Sequence, residues 1–186
     1  QLLDTAVTEA RKLSRFIENL LDMTRIDAGV VRMRTDPLEV ATLAENALDR
    51  AQATLKTKTI SRDVSTGLPR IVVDPALAET ALANVLENAG KYAPDGSTVL
   101  VRAYRKDQAV EIEVLDEGPG FDAESAPHLF EKFARGVEGD GRPPGTGLGL
   151  AIAKGFVEAQ GGAIEARNRS DKPGAVVSLR FPTEVA

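Results

Sequence analysis

Asn84, Asn88 and Tyr92 recur at four-residue intervals along Ala83-Asn-Val-Leu-Glu-Asn-Ala-Gly-Lys-Tyr92, with Lys91 beside the last of them. On a helix these side chains stand one above another. An amide oxygen can complete the oxygen shell of Mg²⁺, an ammonium can meet a phosphate, and a phenol ring can lie against a base. The neighbouring stripe, Ala78, Leu82, Val85 and Ala89, is apolar and suits a core-facing side. Polar groups of these kinds thus run along the edge of a buried face, where solubility alone would place ordinary charges. A core helix with solvated asparagines would read the same way, so the case needs support from elsewhere in the chain.

A second cluster begins with Asp116-Glu117-Gly118-Pro119-Gly120, directly after an alternating apolar run. Eight of the sixteen glycines and four of the ten prolines fall between Gly118 and Gly149. An aperiodic stretch of roughly 25 residues inside a compact domain is normally functional or disordered. Within it, Leu129-Phe130-Glu131-Lys132-Phe133 is an apolar island able to pin the loop down, and Arg135 and Gly136 follow. The stretch ends in Gly145-Thr146-Gly147-Leu148-Gly149-Leu150 and an apolar helix through Ala151, Ile152, Phe156 and Val157. Glycines let backbone approach a ligand, and a helix N-terminus offers N–H groups to anions, so this is a credible phosphate cradle. A flexible loop with a close helix–sheet contact is the plainer alternative.

Familiar nucleotide signatures fail. Val85 stands where a P-loop ending at Gly90-Lys91 needs glycine, and Leu150 replaces the last glycine of a dinucleotide fingerprint that Pro143-Pro144 introduces. No His-Arg-Asp or Asp-Phe-Gly kinase pair is present, and His128 is the single histidine, which removes hydrolase triads.

The surrounding elements follow from periodicity. Residues 1 to about 28 form one amphipathic helix with a heptad seam of Leu3, Ala6, Ala10, Leu13, Ile17, Leu20 and Thr24, flanked by Phe16, Leu21 and Met23. So wide an apolar face asks for partner helices, and self-association is favoured over packing on the chain's own domain; Gly29 stops it. Val31 to Arg34 is a short strand. Asp36 caps a helix from Pro37 to about Leu55, with Leu38, Ala41, Leu43, Ala44 and Leu48 inward. Strands run over Thr59–Val64 and Ile71–Val73, joined by the turn Ser65-Thr66-Gly67. Asp74-Pro75 opens the asparagine helix. Thr98–Tyr104 and Ala109–Leu115 form a hairpin about Lys106-Asp107, and Ala163–Ala166 with Ala175–Phe181 close the domain after Gly161-Gly162. The expected fold class is α+β: a two-layer sandwich of a mixed, largely antiparallel sheet with helices on one face, preceded by one long amphipathic helix.

Bulk composition narrows the function classes. Lys+Arg 23 against Asp+Glu 28 gives −5, which disfavours nucleic-acid binding through a basic surface. Zero Cys and one His exclude the usual zinc and disulfide frameworks. No apolar run approaches the ~20 residues that span a bilayer, so no membrane contact is expected in this segment, and the compartment expected is the cytoplasm. The chain opens without Met inside a helical pattern, and reads as an excerpt from something longer.

Asn84…Asn88-Ala-Gly-Lys91-Tyr92, Asp116-x-Gly118-x-Gly120, Phe130…Phe133 and Gly145-Thr-Gly147-Leu-Gly149-Leu resemble the N, G1, F and G2 boxes of bacterial sensor histidine kinases, in order and spacing. Those boxes mark the Bergerat-type ATP-binding fold shared with gyrase, Hsp90 and MutL. The leading helix, ending Leu20-Leu21-Asp22-Met23-Thr24-Arg25-Ile26-Asp27-Ala28-Gly29, resembles the second helix of the kinases' dimerisation and phosphotransfer domain. That divides the chain into residues 1–30 and a catalytic domain over 31–186 with an ATP lid at about 121–144. Within the family, the stretches Leu86–Pro94 and Phe133–Gly136 are most similar to potassium- and turgor-responsive kinases.

The resemblance implies ATP and Mg²⁺ as cofactors. Asn88 would coordinate Mg²⁺ with Asn84 assisting, Lys91 would touch phosphate, and Tyr92 would lie beside adenine or ribose. Asp116 would accept from the adenine amino group, and Gly118 and Gly120 would turn the chain around the base. Phe130 and Phe133 would pack the lid down, Arg135 would reach the γ-phosphate, and Gly145, Thr146, Gly147, Leu148 and Gly149 would wrap the phosphates. The phosphoacceptor histidine would belong to an upstream helix, leaving His128 as a packing or surface residue. The partners implied are a response regulator receiver domain and a second copy joined through the N-terminal helix, with the parent protein anchored in the bacterial inner membrane. A nucleotide-gated interaction module, or a serine kinase of the anti-sigma-factor type, uses the same boxes and stays open.

Overall fold

The computed structural model describes residues 2–122, 124, 126–134 and 146–183, with the side chains of residues 2–6, 8–9, 11–12 and 15 set aside. In chain order the elements are α1 (Leu2–Asp27), β1 (Asp36–Leu38), α2 (Val40–Leu55), β2 (Thr59–Val64), β3 (Ile71–Val73), α3 (Pro75–Tyr92), β4 (Thr98–Lys106), β5 (Ala109–Leu115), α4 (Gly149–Ala159), β6 (Ala163–Asn168) and β7 (Ala175–Pro182). Among the described residues between β5 and α4 there is one 3₁₀ turn, Ala126–His128.

Five strands form one sheet in the order β2-β4-β5-β7-β6, with β2 parallel to β4 and the remaining pairs antiparallel. The expected α+β sandwich is therefore the observed one. Every residue of the central β5 is buried. On one side Val110, Ile112 and Val114 join the apolar core with α2, α3 and α4. On the other, Glu111 and Glu113 are covered by long side chains from neighbouring strands. Tyr104 Oη donates to Glu111 at 3.1 Å, and Arg167 donates to Glu113 at 2.9 Å. Burial, then the bond to Glu111, pushes the Tyr104 phenol up to about 12. A lattice of paired charges thus closes the face that carries no helix.

Two expectations fail near the start of this body. Val31–Arg34 is not a strand; Asp36–Leu38 is, pairing antiparallel with β3 from Asp36↔Val73 to Leu38↔Ile71. Pro37, lacking an N–H, suits a strand edge as well as a helix start, and here the pairing with β3 prevails. Asp36 is accordingly no cap: Glu39 is the N-cap of α2, without a side-chain bond, and Ala41 is exposed where it was expected inward. Smaller shifts follow from pairing. The β4–β5 ladder continues to Lys106↔Ala109, so the turn falls on Asp107-Gln108, with Asp107 at φ 56°. Strands β6 and β7 likewise run to Asn168 and Pro182.

Helix α1 docks on the chain's own domain only in part. Its last turns pack on the domain: Met23 is buried, Ile26 sits where a Cβ on Gly155 of α4 would be 2.7 Å away, and Lys132 Nζ meets the Asp27 carboxylate at 2.5 and 2.6 Å. Farther up, Leu13, Phe16, Ile17, Leu20 and Leu21 remain between 39% and 59% exposed.

Candidate nucleotide-binding site

Helix α3 begins as the sequence requires, with Pro75 in its first turn and Asp74 Oδ1 accepting the Ala76 and Leu77 N–H groups at 3.1 and 3.2 Å. It lies antiparallel to α4. Gln160, just past the end of α4, accepts the Asp74 N–H through Oε1 at 2.8 Å and donates to the Phe156 carbonyl at 2.7 Å. The middle of α3 is thereby set beside the start of α4. Asn84 Oδ1 lies 3.7 Å from the position a Cβ on Gly149 would take.

Between these elements and the loop after β5 lies a cavity of about 300 Å³. Asn88, Tyr92, Asp116 and Gly120 all line it, joined by Phe121, Leu150 and Ala175. The buried Asp116 carboxylate accepts the Gly118 N–H at 2.7 Å and the Ala175 N–H at 3.2 Å. Both bonds fall on Oδ1, so among the described residues the other oxygen stays available to a ligand donor. Burial pushes this carboxyl up from its ordinary value, against the two backbone donors and Arg169, which pull it down.

The other expected residues are placed as follows. Lys91 folds over Tyr92, with Nζ 3.2 Å from the phenol oxygen and 4.8 Å from the ring centroid. Gly118 serves Asp116 through its N–H. Thr146 Oγ1 accepts the Leu148 N–H at 3.3 Å, and Leu148 is the N-cap of α4 with no side-chain cap of its own. Gly147 has φ 69°, and a Cβ there would lie 2.8 Å from the Phe133 backbone, so only glycine passes at this crossing. Phe133 does not pack the lid down as expected: it is 58% exposed at φ 60°, while Phe130 alone of the pair rests on the core. The left-handed turn at Phe133 throws its ring outward. His128 is exposed and bonded to Glu131 at 2.8 Å, a surface residue at the cavity rim. Arg135 and Gly145 lie outside the described residues.

The chain suits a magnesium-bound nucleotide on its own chemistry. Asn84 Nδ2 is buried without a partner among the described residues. A buried amide in that condition costs about 1–3 kcal/mol unless a ligand completes it. It stands against the uncapped first turn of α4, whose free N–H groups favour an anion. Asn84 and Asn88 also carry the neutral amide oxygens that Mg²⁺ accepts beside phosphate.

The turn linking β6 and β7 also belongs to the site, and motif reading missed it. Arg169 donates to the Asp116 carbonyl at 3.3 Å, Lys172 pairs with Glu117 at 2.5 Å, and a Cβ on Gly174 would overlap the Asp116 carbonyl. Asn168-Arg-Ser-Asp-Lys-Pro-Gly174 has ordinary turn composition. Only the β5–β7 register, Leu115↔Val176, brings it beside Asp116.

Comparison with known proteins agrees with this geometry. Residues 73–185, more than half the chain, match the family described as histidine kinase-, DNA gyrase B- and HSP90-like ATPase. The chain is 34% identical over all 186 residues to the sensor protein KdpD of Clostridium acetobutylicum, of which it spans 21%. It is 36% identical over 178 residues (96% of its length) to the signal transduction histidine-protein kinase AfsQ2 of Streptomyces coelicolor, of which it spans 32%. Among solved structures, the mycobacterial sensor histidine kinase MprB superposes with a TM-score of 0.71 at 28% identity, over 82% of this chain and all of that one. Full-length ShkA in complex with AMPPNP gives 0.79 at 28% identity, over 98% of this chain and 39% of that one. The chain belongs to the histidine kinase-, DNA gyrase B- and HSP90-like ATPases, and carries the ATP-binding catalytic domain of the sensor histidine kinase type.

Proposed function

We propose that this chain binds Mg-ATP between α3, α4 and the Asp116 loop, and presents the γ-phosphoryl to a histidine on a dimerisation-domain helix for relay to a response regulator aspartate. The observation that carries this reading is the unpartnered Asn84 amide set against the uncapped start of α4, beside a cavity lined by Asn88, Tyr92 and Asp116. Asp116 accepts from the adenine amino group and Tyr92 lies along the base. Asn88, with Asn84 beside it, supplies amide oxygen to Mg²⁺, and the first turn of α4 with Gly147 and Gly149 holds phosphate oxygens. Lys91 and Arg135 add positive charge at the phosphates. Magnesium offsets the negative charge that builds on the phosphates during transfer.

AfsQ2 and MprB, compared above, are histidine kinases by name, which supports this reading over a gated interaction module or a serine kinase. The same reading assigns residues 1–30 to a dimerisation helix and 31–186 to the catalytic domain. It makes a second copy, through the exposed apolar side of α1, and a receiver domain the partners, within a parent protein anchored in the bacterial inner membrane. Among the described residues no helix is long and apolar enough to cross a membrane.

Calorimetry tests it directly. Asn88→Ala should weaken Mg-ATP binding at least about 100-fold, a loss of ~2.7 kcal/mol, with the circular dichroism of the wild type. Undiminished affinity in that variant overturns the site assignment. A supplied dimerisation domain that gains no phosphohistidine from this chain and ATP overturns the transferase part.

A further inference from the structure

Asn168, the last residue of β6, opens the turn that passes beside Asp116. Its carboxamide makes a two-point clamp on the backbone of Phe121, 47 residues earlier: Oδ1 accepts the Phe121 N–H at 2.7 Å and Nδ2 donates to the Phe121 carbonyl at 2.8 Å. An asparagine amide is one of few side chains that offer donor and acceptor in one plane, and here it stands in for a neighbouring strand. The clamp fits because Gly120 turns at φ 76°, and a Cβ on it would lie 2.6 Å from Asn168 Oδ1. The next residue, Arg169, ties down the Asp116 carbonyl while its guanidinium is braced by Asp171 at 2.6 and 3.0 Å. Gly120, Phe121 and Ala175 all line the cavity. One wall of the site is therefore loop backbone; its Phe121 ring packs against the core, and among the described residues the hydrogen bonds that fasten the Phe121 backbone to the sheet come from one side chain.

We propose that Asn168 is a positioning residue for the base pocket: it fixes Phe121, the first residue of the lid, to the sheet edge and so sets the width of the slot facing Tyr92 and Asp116. The assignment rests on the ATP reading. With Asn168 truncated, the Phe121 backbone is held only through its ring's packing on the core, the slot widens, and the contacts that tell adenine from guanine loosen together. Both clamp bonds are at the surface, so the fold as a whole depends on them little.

The test compares wild type, Asn168→Ala and Asn168→Asp. Amide exchange at Phe121 is followed by NMR without nucleotide, Mg-ATP and Mg-GTP affinities by calorimetry, and unfolding by circular dichroism. In Asn168→Ala, exchange at Phe121 should quicken and ATP affinity should fall about tenfold. GTP affinity should fall less, so the preference for ATP narrows, and the melting midpoint should stay within ~3 °C. Asn168→Asp keeps the acceptor and loses the donor, so it should fall between; it also carries the comparison should the alanine variant fail to fold. Unchanged exchange at Phe121, unchanged ATP affinity, or an ATP-to-GTP ratio equal to the wild type's overturns the proposal. Absence of ATP binding by the wild-type chain overturns the ATP reading, and this assignment with it, before any variant is compared.

Discussion

Asp116 shows how a binding residue can be held against the interest of the fold. It is only 6% exposed, and burial is the largest influence on its carboxyl, raising the affinity for a proton. A carboxyl whose folded value is raised takes a proton more readily folded than unfolded. Its favourable contribution to stability is therefore complete below the unfolded value and disappears as pH rises through the folded value. At neutral pH the ionised group is retained at some expense of stability, and on the function proposed above ligand recognition is what it supplies in return. Asp116→Asn keeps an oxygen for the Gly118 and Ala175 N–H groups but places an NH₂ where adenine presents its own. That variant should melt no lower than wild type at pH 7, yet bind ATP at least about tenfold more weakly, since buried donors left facing each other cost ~1–3 kcal/mol. The wild type should also lose ATP affinity on acidification at a pH above the ordinary aspartate value of 3.8, a limb that Asp116→Asn lacks. Calorimetry across pH, beside thermal melts, checks both statements.

Among the elements, the α3–α4 pair carries the site, and Gln160 is what joins their outer ends. It is 7% exposed and satisfies the Asp74 N–H and the Phe156 carbonyl together. Gln160→Leu preserves volume but abandons both groups, and should cost about 1–3 kcal/mol in urea unfolding at an unchanged slope. Helix α3 was legible from its residues: Asp74-Pro75 has one local meaning in front of an apolar stripe, and Ala78, Leu82, Val85 and Ala89 are all buried. Asp36-Pro37 looked the same and became a strand, because a long-range partner in β3 outweighed a local preference. The glycine-rich loop stood out through composition, though its path did not, since no periodicity reports where an aperiodic chain runs. Phe133 illustrates the limit: an apolar residue in an apolar island still ends 58% exposed when its φ of 60° turns the ring out. The turn from Asn168 to Gly174 was invisible for a different reason. Its importance lies in the neighbour that sheet order assigns to it, and nothing in its own residues announces that neighbour.

At the scale of the whole molecule, α1 is half docked. Its last turns, through Met23, Ile26 and Asp27, are fixed to α4 and to Lys132, while Leu13, Phe16, Ile17, Leu20 and Leu21 stay exposed. A band of that kind is wider than one helix in water ordinarily presents, and on the function proposed above a second copy of the chain would cover it. Ile17→Glu with Leu21→Glu should shift the chain toward monomer in analytical ultracentrifugation, with Mg-ATP affinity within about twofold of wild type, because neither residue belongs to the docked end. The antiparallel helices α3 and α4 have a mechanical implication of their own. They are fastened at the rear by Gln160 and packed side by side as far as Asn84 and Gly149. A rigid helix anchored at Gln160 carries any rotation there to its opposite end. For the 11-residue α4, about 16 Å long, each degree of that rotation moves its first turn by about 0.3 Å. The position of the Gly149 turn is therefore sensitive to the seating of a glutamine at the opposite end of the helix.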